Sequence, residues 1–168
     1  MLHLIEAGTL VSVVALAAWS DVRTRRIPNW LCATGLLAAL VLHGVAGWSA
    51  VLGGLAGAGL ALLLFFPLFA LRAMGAGDVK LLMAVGAFLG PRRLVAALLV
   101  TALLGGAMAL VSAWRRGVIL PVLFNSHDLF RRAFAGGAGE APTLASPQAI
   151  TIPYGVAIAT GAVAAWFF

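Results

Sequence analysis

The chain has 168 residues, enough for one domain, and 63% of them are hydrophobic against 10% charged. A soluble domain is about half apolar and a quarter charged, so a mean hydropathy of +1.09 excludes a water-soluble globule and predicts an integral membrane protein. The net charge of +6 fits basic loops held on the cytoplasmic side, and no basic face outside the membrane is long enough to follow a nucleic-acid backbone.

The first apolar run covers residues 2–20. Ala15-Leu16-Ala17 imitates a signal-peptide cleavage site, but the run carries Glu6 and is preceded by no Lys or Arg. Its basic cluster, Arg23, Arg25 and Arg26, comes afterwards. A signal peptide has the opposite polarity, so the run reads as a retained first span with its N-terminus outside. A polar loop covers 21–28, and Asn29 is the expected N-cap of a second run over 30–46. A short turn at 47–49 leads to a third run over 50–71, and a loop over 72–77 follows. The fourth run, 78–90, falls short of the roughly 20 residues that a span needs. Pro91-Arg92-Arg93 separates it from a fifth run over 94–114. Residues 115–148 form the longest polar stretch, and a sixth run covers 149–168. The pattern predicts an all-α membrane protein with about six transmembrane helices, forming a single domain over 1–168.

Basic residues set the orientation. With the N-terminus outside, the inner loops hold Arg23, Arg25, Arg26, Arg72, Lys80, Arg115, Arg116, Arg131 and Arg132, and the outer loops hold only Arg92 and Arg93. Trp19, Trp30 and Trp114 fall at inner ends, Trp48 and Trp166 at outer ends, as an aromatic belt requires. In the third run Gly53 and Gly57 form a GxxxG pair for close helix packing. Gly105, Gly106 and Thr101 suggest a similar contact in the fifth. Within the long polar stretch, 121–134 has the mixed composition of an interfacial amphipathic helix, and 136–147 reads as a Gly/Ala/Pro-rich linker. The single cysteine, Cys32, rules out a disulfide within the chain and a CxxC metal site. It reads as a small buried hydrophobe.

Few residues can carry chemistry. The sequence has only five acids, and an Asp beside an apolar run is costly enough to need a reason. Asp78 follows Gly75-Ala76-Gly77, where the glycines permit a tight turn or close backbone approach. A helix starting at Asp78 would aim free N–H groups at its carboxylate. Asp21 closes the first run, and the topology puts both acids at the same inner face. Two carboxyl groups forced together in a polar cavity cannot both ionise comfortably. One can then take a proton from water while the other polarises a peptide carbonyl. The plainer reading is that each Asp is a helix cap or an interfacial charge. Lys80 lies about 200° around the helix from Asp78 and is expected to snorkel to the headgroups. His3, His43 and Glu6 read as residues near the outer surface, and His127-Asp128 as an interfacial pair. Tyr154, after Ile152-Pro153, is the further residue expected near the acids. No metal cluster or Ser/His/Asp set is visible.

Asp21-Val22-Arg23-Thr24-Arg25-Arg26-Ile27-Pro28-Asn29, together with Gly75-Ala76-Gly77-Asp78-Val79-Lys80, resembles the type IV prepilin peptidases. Their pattern is an Asp a few residues before Ile-Pro-Asn, then GxGD and a Lys. Ile152-Pro153-Tyr154-Gly155 is similar to the motif that opens their last helix. The resemblance covers nearly the whole chain. It implies an intramembrane aspartic endopeptidase of the inner, cytoplasmic membrane that removes a short basic leader from type IV prepilins or pseudopilins, without a metal or cofactor. Asp21 and Asp78 match the two catalytic aspartates, with Gly75, Gly77, Lys80, Pro28 and Asn29 in support. Substrate-binding residues are not indicated. The cytoplasmic insertion with paired cysteines that accompanies N-methylation in longer members is missing, and no S-adenosylmethionine site is visible. That resembles the short peptidases of tight-adherence pilus systems, or the archaeal preflagellin relatives, and points away from methyltransferase activity. Two other readings stay open on the residues: a small transporter with the acids as a proton or cation site, and a non-catalytic secretion-system subunit.

Overall fold

A computed structural model describes residues 1–115 and 154–167. The expectations for 116–153, including the amphipathic segment, the linker and His127-Asp128, lie outside the described residues. Every element among the described residues is helical: α1 (Leu2–Thr24), α2 (Asn29–Ala46), α3 (Trp48–Ala70), a long stretch Ala76–Arg115, and a last helix Tyr154–Trp166. The long stretch is broken at Gly90, whose φ of 68° and ψ of 174° are non-helical, directly before Pro91. Only glycine takes that backbone cheaply, and the following proline removes a helical N–H. The stretch is therefore two helices, α4 (residues 76–89) and α5 (residues 91–115), and the last helix is α6.

Four stretches are long and apolar enough to cross a membrane: Leu2–Thr24, Asn29–Ala46, Trp48–Ala70 and Ala76–Ser112. Leu16, Leu37, Leu63, Leu99 and Leu103 stand exposed, an apolar surface that suits a membrane protein. Trp19, Trp30, Trp48 and Trp114 are exposed at helix ends, as belt residues would be. Arg23 stacks over Trp19 with 4.9 Å to the ring centroid, and Arg93 over Trp166 with 5.9 Å.

The core sits around α4. From Leu81 to Leu89 every residue but Met83 is buried, so this part of α4 is apolar all round and forms the centre of the bundle. The stretch containing it packs against α1, α2, α3 and α6. Glycines set its closest approaches. A Cβ at Gly57 would overlap the Gly86 carbonyl, and one at Gly54 would come within 2.9 Å of the Ala87 carbonyl and 2.7 Å of His43 Nδ1. Gly53, by contrast, faces open space. The GxxxG expectation thus identified the right helix and one right glycine, but its partner on the contact face is Gly54. Gly105 is likewise packed while Gly106 is open.

Several boundaries move. α1 continues four residues beyond Ser20 and ends at Arg25 in a left-handed conformation, φ 54°. α2 has Pro28 at its N-cap with no side-chain capping bond, so Asn29 is the first helical residue and not the cap. α4 begins at Ala76 instead of Asp78. At the opposite end from the acids, Glu6 is buried and its Oε2 lies 3.3 Å from Nδ1 of the exposed His3. His43 is not simply interfacial: its Nδ1 is buried against Gly54.

Candidate active site

Asp21 lies in the last turn of α1, where the helix dipole disfavours an acid and favours a base such as Arg23. Its carboxyl group turns away from its own helix end toward another. The Gly155 N–H, in the first turn of α6, donates to Asp21 Oδ2 at 2.8 Å. A helix N-terminus offers free N–H groups and partial positive charge, so α6 supplies what α1 cannot. Asp21 is only 7% exposed, which makes that partner necessary.

Asp78 sits at the third helical position of α4. Its carboxyl group turns back over Gly75, the residue before the helix. That is the placement of the third-position acid in a capping box. Gly75 has little room for a side chain, because a Cβ there would stand 3.1 Å from Asp78 Oδ2. The expectation that a helix N-terminus serves Asp78 holds, with the helix starting two residues earlier. The capping reading and a chemical reading of this acid are compatible, since the cap fixes the direction of the carboxyl group.

The two acids lie within electrostatic reach of each other, so the ends of α1 and α4 do converge. Tyr154 lies within the same reach of Asp78. It belongs with the acids, as the sequence suggested.

The two motifs are joined by direct contacts. Lys80 Nζ donates to Asn29 Oδ1 at 2.9 Å, across 51 residues of sequence. The expected snorkelling of Lys80 is replaced by this bond, which ties α4 to the first residue of α2. Ile27 packs on Gly77, where a Cβ would stand 3.2 Å from the Ile27 Cβ. The Cys32 thiol, buried beneath, lies 3.9 Å from the Gly77 carbonyl, a weak sulfur contact. Pro28 stands between Ile27 and Asn29 and serves as the α2 N-cap. Gly77 and Lys80, on either side of Asp78, thus contact Ile27, Cys32 and Asn29 at the start of α2.

The family model of the type IV leader peptidases matches residues 9–110, a majority of the chain that includes both acids and both motifs. The chain belongs to the type IV leader peptidase family. The prepilin leader peptidase/N-methyltransferase of Myxococcus xanthus (strain DK1622) is 29% identical over 158 residues, which cover 90% of this chain and 45% of that relative. This leader peptidase family member thus spans less than half the length of the relative it matches. No solved structure matches the chain.

Sequence reasoning missed four contacts of this site: the Gly155 N–H, the Cys32 thiol, the packing of Ile27 on Gly77 and the Lys80–Asn29 bond. The first comes from a backbone group, and its signal in the sequence was the glycine following Tyr154. The other three join residues 45 or more apart, which no helical spacing could pair.

Proposed function

We propose that the chain is an intramembrane aspartic endopeptidase that removes the short basic leader from type IV prepilins or pseudopilins at the cytoplasmic face of the membrane. The observation that supports this most is the convergence of Asp21 and Asp78 at one end of the bundle in a chain of the leader peptidase family. The reading adopts six spans with the N-terminus outside, because the loops at the acid-bearing end carry most of the basic residues.

The chemistry follows from sharing one proton between two carboxyl groups. The ionised acid takes a proton from a water molecule, and the water oxygen bonds to the scissile carbonyl carbon. The protonated acid hydrogen-bonds the carbonyl oxygen and stabilises the charge that develops there. The tetrahedral intermediate collapses when the amide nitrogen takes a proton from the acid that received it. The C–N bond breaks, and an acid, an amine and the original single shared proton remain. A precursor that inserts its apolar helix with its basic leader inside presents its scissile bond at this depth. We propose peptidase activity alone for this chain, without N-methylation.

The test is leader removal by the purified full chain in liposomes. Asp21→Asn and Asp78→Asn should each lower kcat by on the order of a thousandfold or more while the variants keep their helix content and melting temperature. A variant cleaving at the normal rate removes that acid from the mechanism. Ion flux without a peptide product would establish a transporter instead. Pilus assembly that tolerates both substitutions would establish a non-catalytic subunit. The rate should also be bell-shaped in pH, because the pair works with one proton and fails with two or none. A rate that stays flat into strongly alkaline solution contradicts the shared proton.

A further inference from the structure

The mechanism uses two carboxyl groups and leaves α6 without a part, yet the first turn of α6 rests directly on Asp21. Gly155 holds Asp21 Oδ2 at 2.8 Å through its N–H. A Cβ at position 155 would stand 3.0 Å from both Cβ and Oδ2 of Asp21 and 3.3 Å from its Cγ. The carboxyl group therefore rests directly on the backbone of that turn, and a side chain at 155 would push it by a few tenths of an ångström.

The preceding residue is seated with equal closeness on another helix. A Cβ at Gly105 of α5 would stand 2.8 Å from both Cζ and Oη of Tyr154. From that seat Tyr154 is within electrostatic reach of Asp78. Gly106, next in the chain, has nothing within 4 Å of its would-be Cβ. Further along, the Thr101 hydroxyl on α5 is shared between the carbonyls of Ala97 at 2.7 Å and Ala157 at 3.3 Å. Gly161 packs onto Thr101 and the Ala97 carbonyl. This junction fixes α6 on α5, so the Tyr154 seat and the Gly155 donor keep a constant relation.

We propose that Tyr154 and Gly155 are positioning residues of the active site: the Gly155 N–H sets the direction of the Asp21 carboxyl group, and the Tyr154 ring, seated on Gly105, walls the acid pair on the α6 side. The proposal rests on the peptidase reading of Asp21 and Asp78. A carboxyl group displaced by a few tenths of an ångström no longer meets water and carbonyl together, and misplacement acts on the chemical step more than on binding.

The experiment measures kcat, KM and melting temperature for the full chain in liposomes, with a synthetic precursor carrying a basic leader ahead of an apolar helix. Gly155→Ala and Gly105→Ala should each lower kcat by about tenfold to a hundredfold. KM should stay within about twofold, and the melting temperature should be nearly unchanged. Tyr154→Ala should match Gly105→Ala, and the double variant should be no worse than the poorer single, because both act through one ring. Tyr154→Phe should recover most of the kcat that Tyr154→Ala loses, since the ring is the wall. Gly106→Ala, on the open side, is the control. Should Gly105→Ala fail to fold, Tyr154→Ala tests the same contact without crowding it. Unchanged kcat in Gly155→Ala and Tyr154→Ala, or independent losses at 105 and 154, overturns the proposal. Full activity in Asp21→Asn sinks the peptidase reading itself. An inactive Asp21→Asn beside a normal Gly155→Ala sinks this inference alone.

Discussion

At the scale of single residues, each acid is set against backbone at the start of a helix. Asp21 accepts the Gly155 N–H of α6, and Asp78 turns back over Gly75, the residue before its own helix. The same logic makes Lys80 testable. Its bond to Asn29 at 2.9 Å is exposed, so its contribution to stability is small, about 1 kcal/mol or less. Its effect on where α4 begins is larger in consequence. Asn29→Ala and Lys80→Met should each lower leader removal several-fold with little change in melting temperature. Combined, they should do no more harm than either alone, as measured by a double-mutant cycle on kcat. The two acids were legible in the sequence because Asp78 directly follows a pair of glycines and Asp21 closes an apolar run a few residues before Ile27-Pro28-Asn29. The Lys80–Asn29 bond was not. Helical spacing predicts neighbours three or four residues apart, and these two are 51 apart.

At the scale of helices, glycine decides which faces meet. Gly57 and Gly86 approach backbone to backbone, while Gly53 and Gly106 face open space. Gly57→Ala and Gly86→Ala should therefore destabilise the bundle by roughly 1–3 kcal/mol through overpacking, and Gly53→Ala should be close to neutral. Thermal unfolding in a mild detergent measures the difference. Gly90→Ala should cost about 1–2 kcal/mol, because φ 68° is left-handed backbone that a Cβ resists. The existence of α4 and the break after it could be read from the Gly90-Pro91 pair. Which of two adjacent glycines faces a neighbour could not. A GxxxG spacing gives a stripe, and only the rotation of the packed helix chooses the side of it. The start of α4 was misplaced for a related reason: Gly75 serves as its N-cap and Asp78 reaches backwards to it, so the acid reads as a beginning although the helix is already under way.

At the scale of the whole molecule, the acids, the Lys80–Asn29 bond and the α6 N-terminus share one end, and Glu6, His3 and Trp48 stand at the other. The proposed orientation puts the first end inside. Cysteine labelling in intact cells checks it directly, because the native Cys32 is buried and stays silent to an impermeant thiol reagent. Arg92→Cys should label from outside, and Arg26→Cys only after the membrane is opened. The reverse result inverts the topology. The apolar helices themselves were largely readable from hydropathy, because lipid imposes strict rules on composition. The contacts among the helices obey no such rule and needed coordinates.

The enclosure of α4 has a consequence for how the protein meets lipids of different length. Its 14 residues reach about 21 Å, against about 35 Å for the 23-residue α1 and α3. Since almost none of α4 is open to acyl chains, the longer helices around it set the match to the bilayer, and the acids keep a depth fixed by protein. A substrate helix, held by lipid alone, changes its depth as the bilayer thickens or thins. Lengthening the acyl chains should then alter how well the scissile bond lines up with the acids, lowering kcat more than it raises KM.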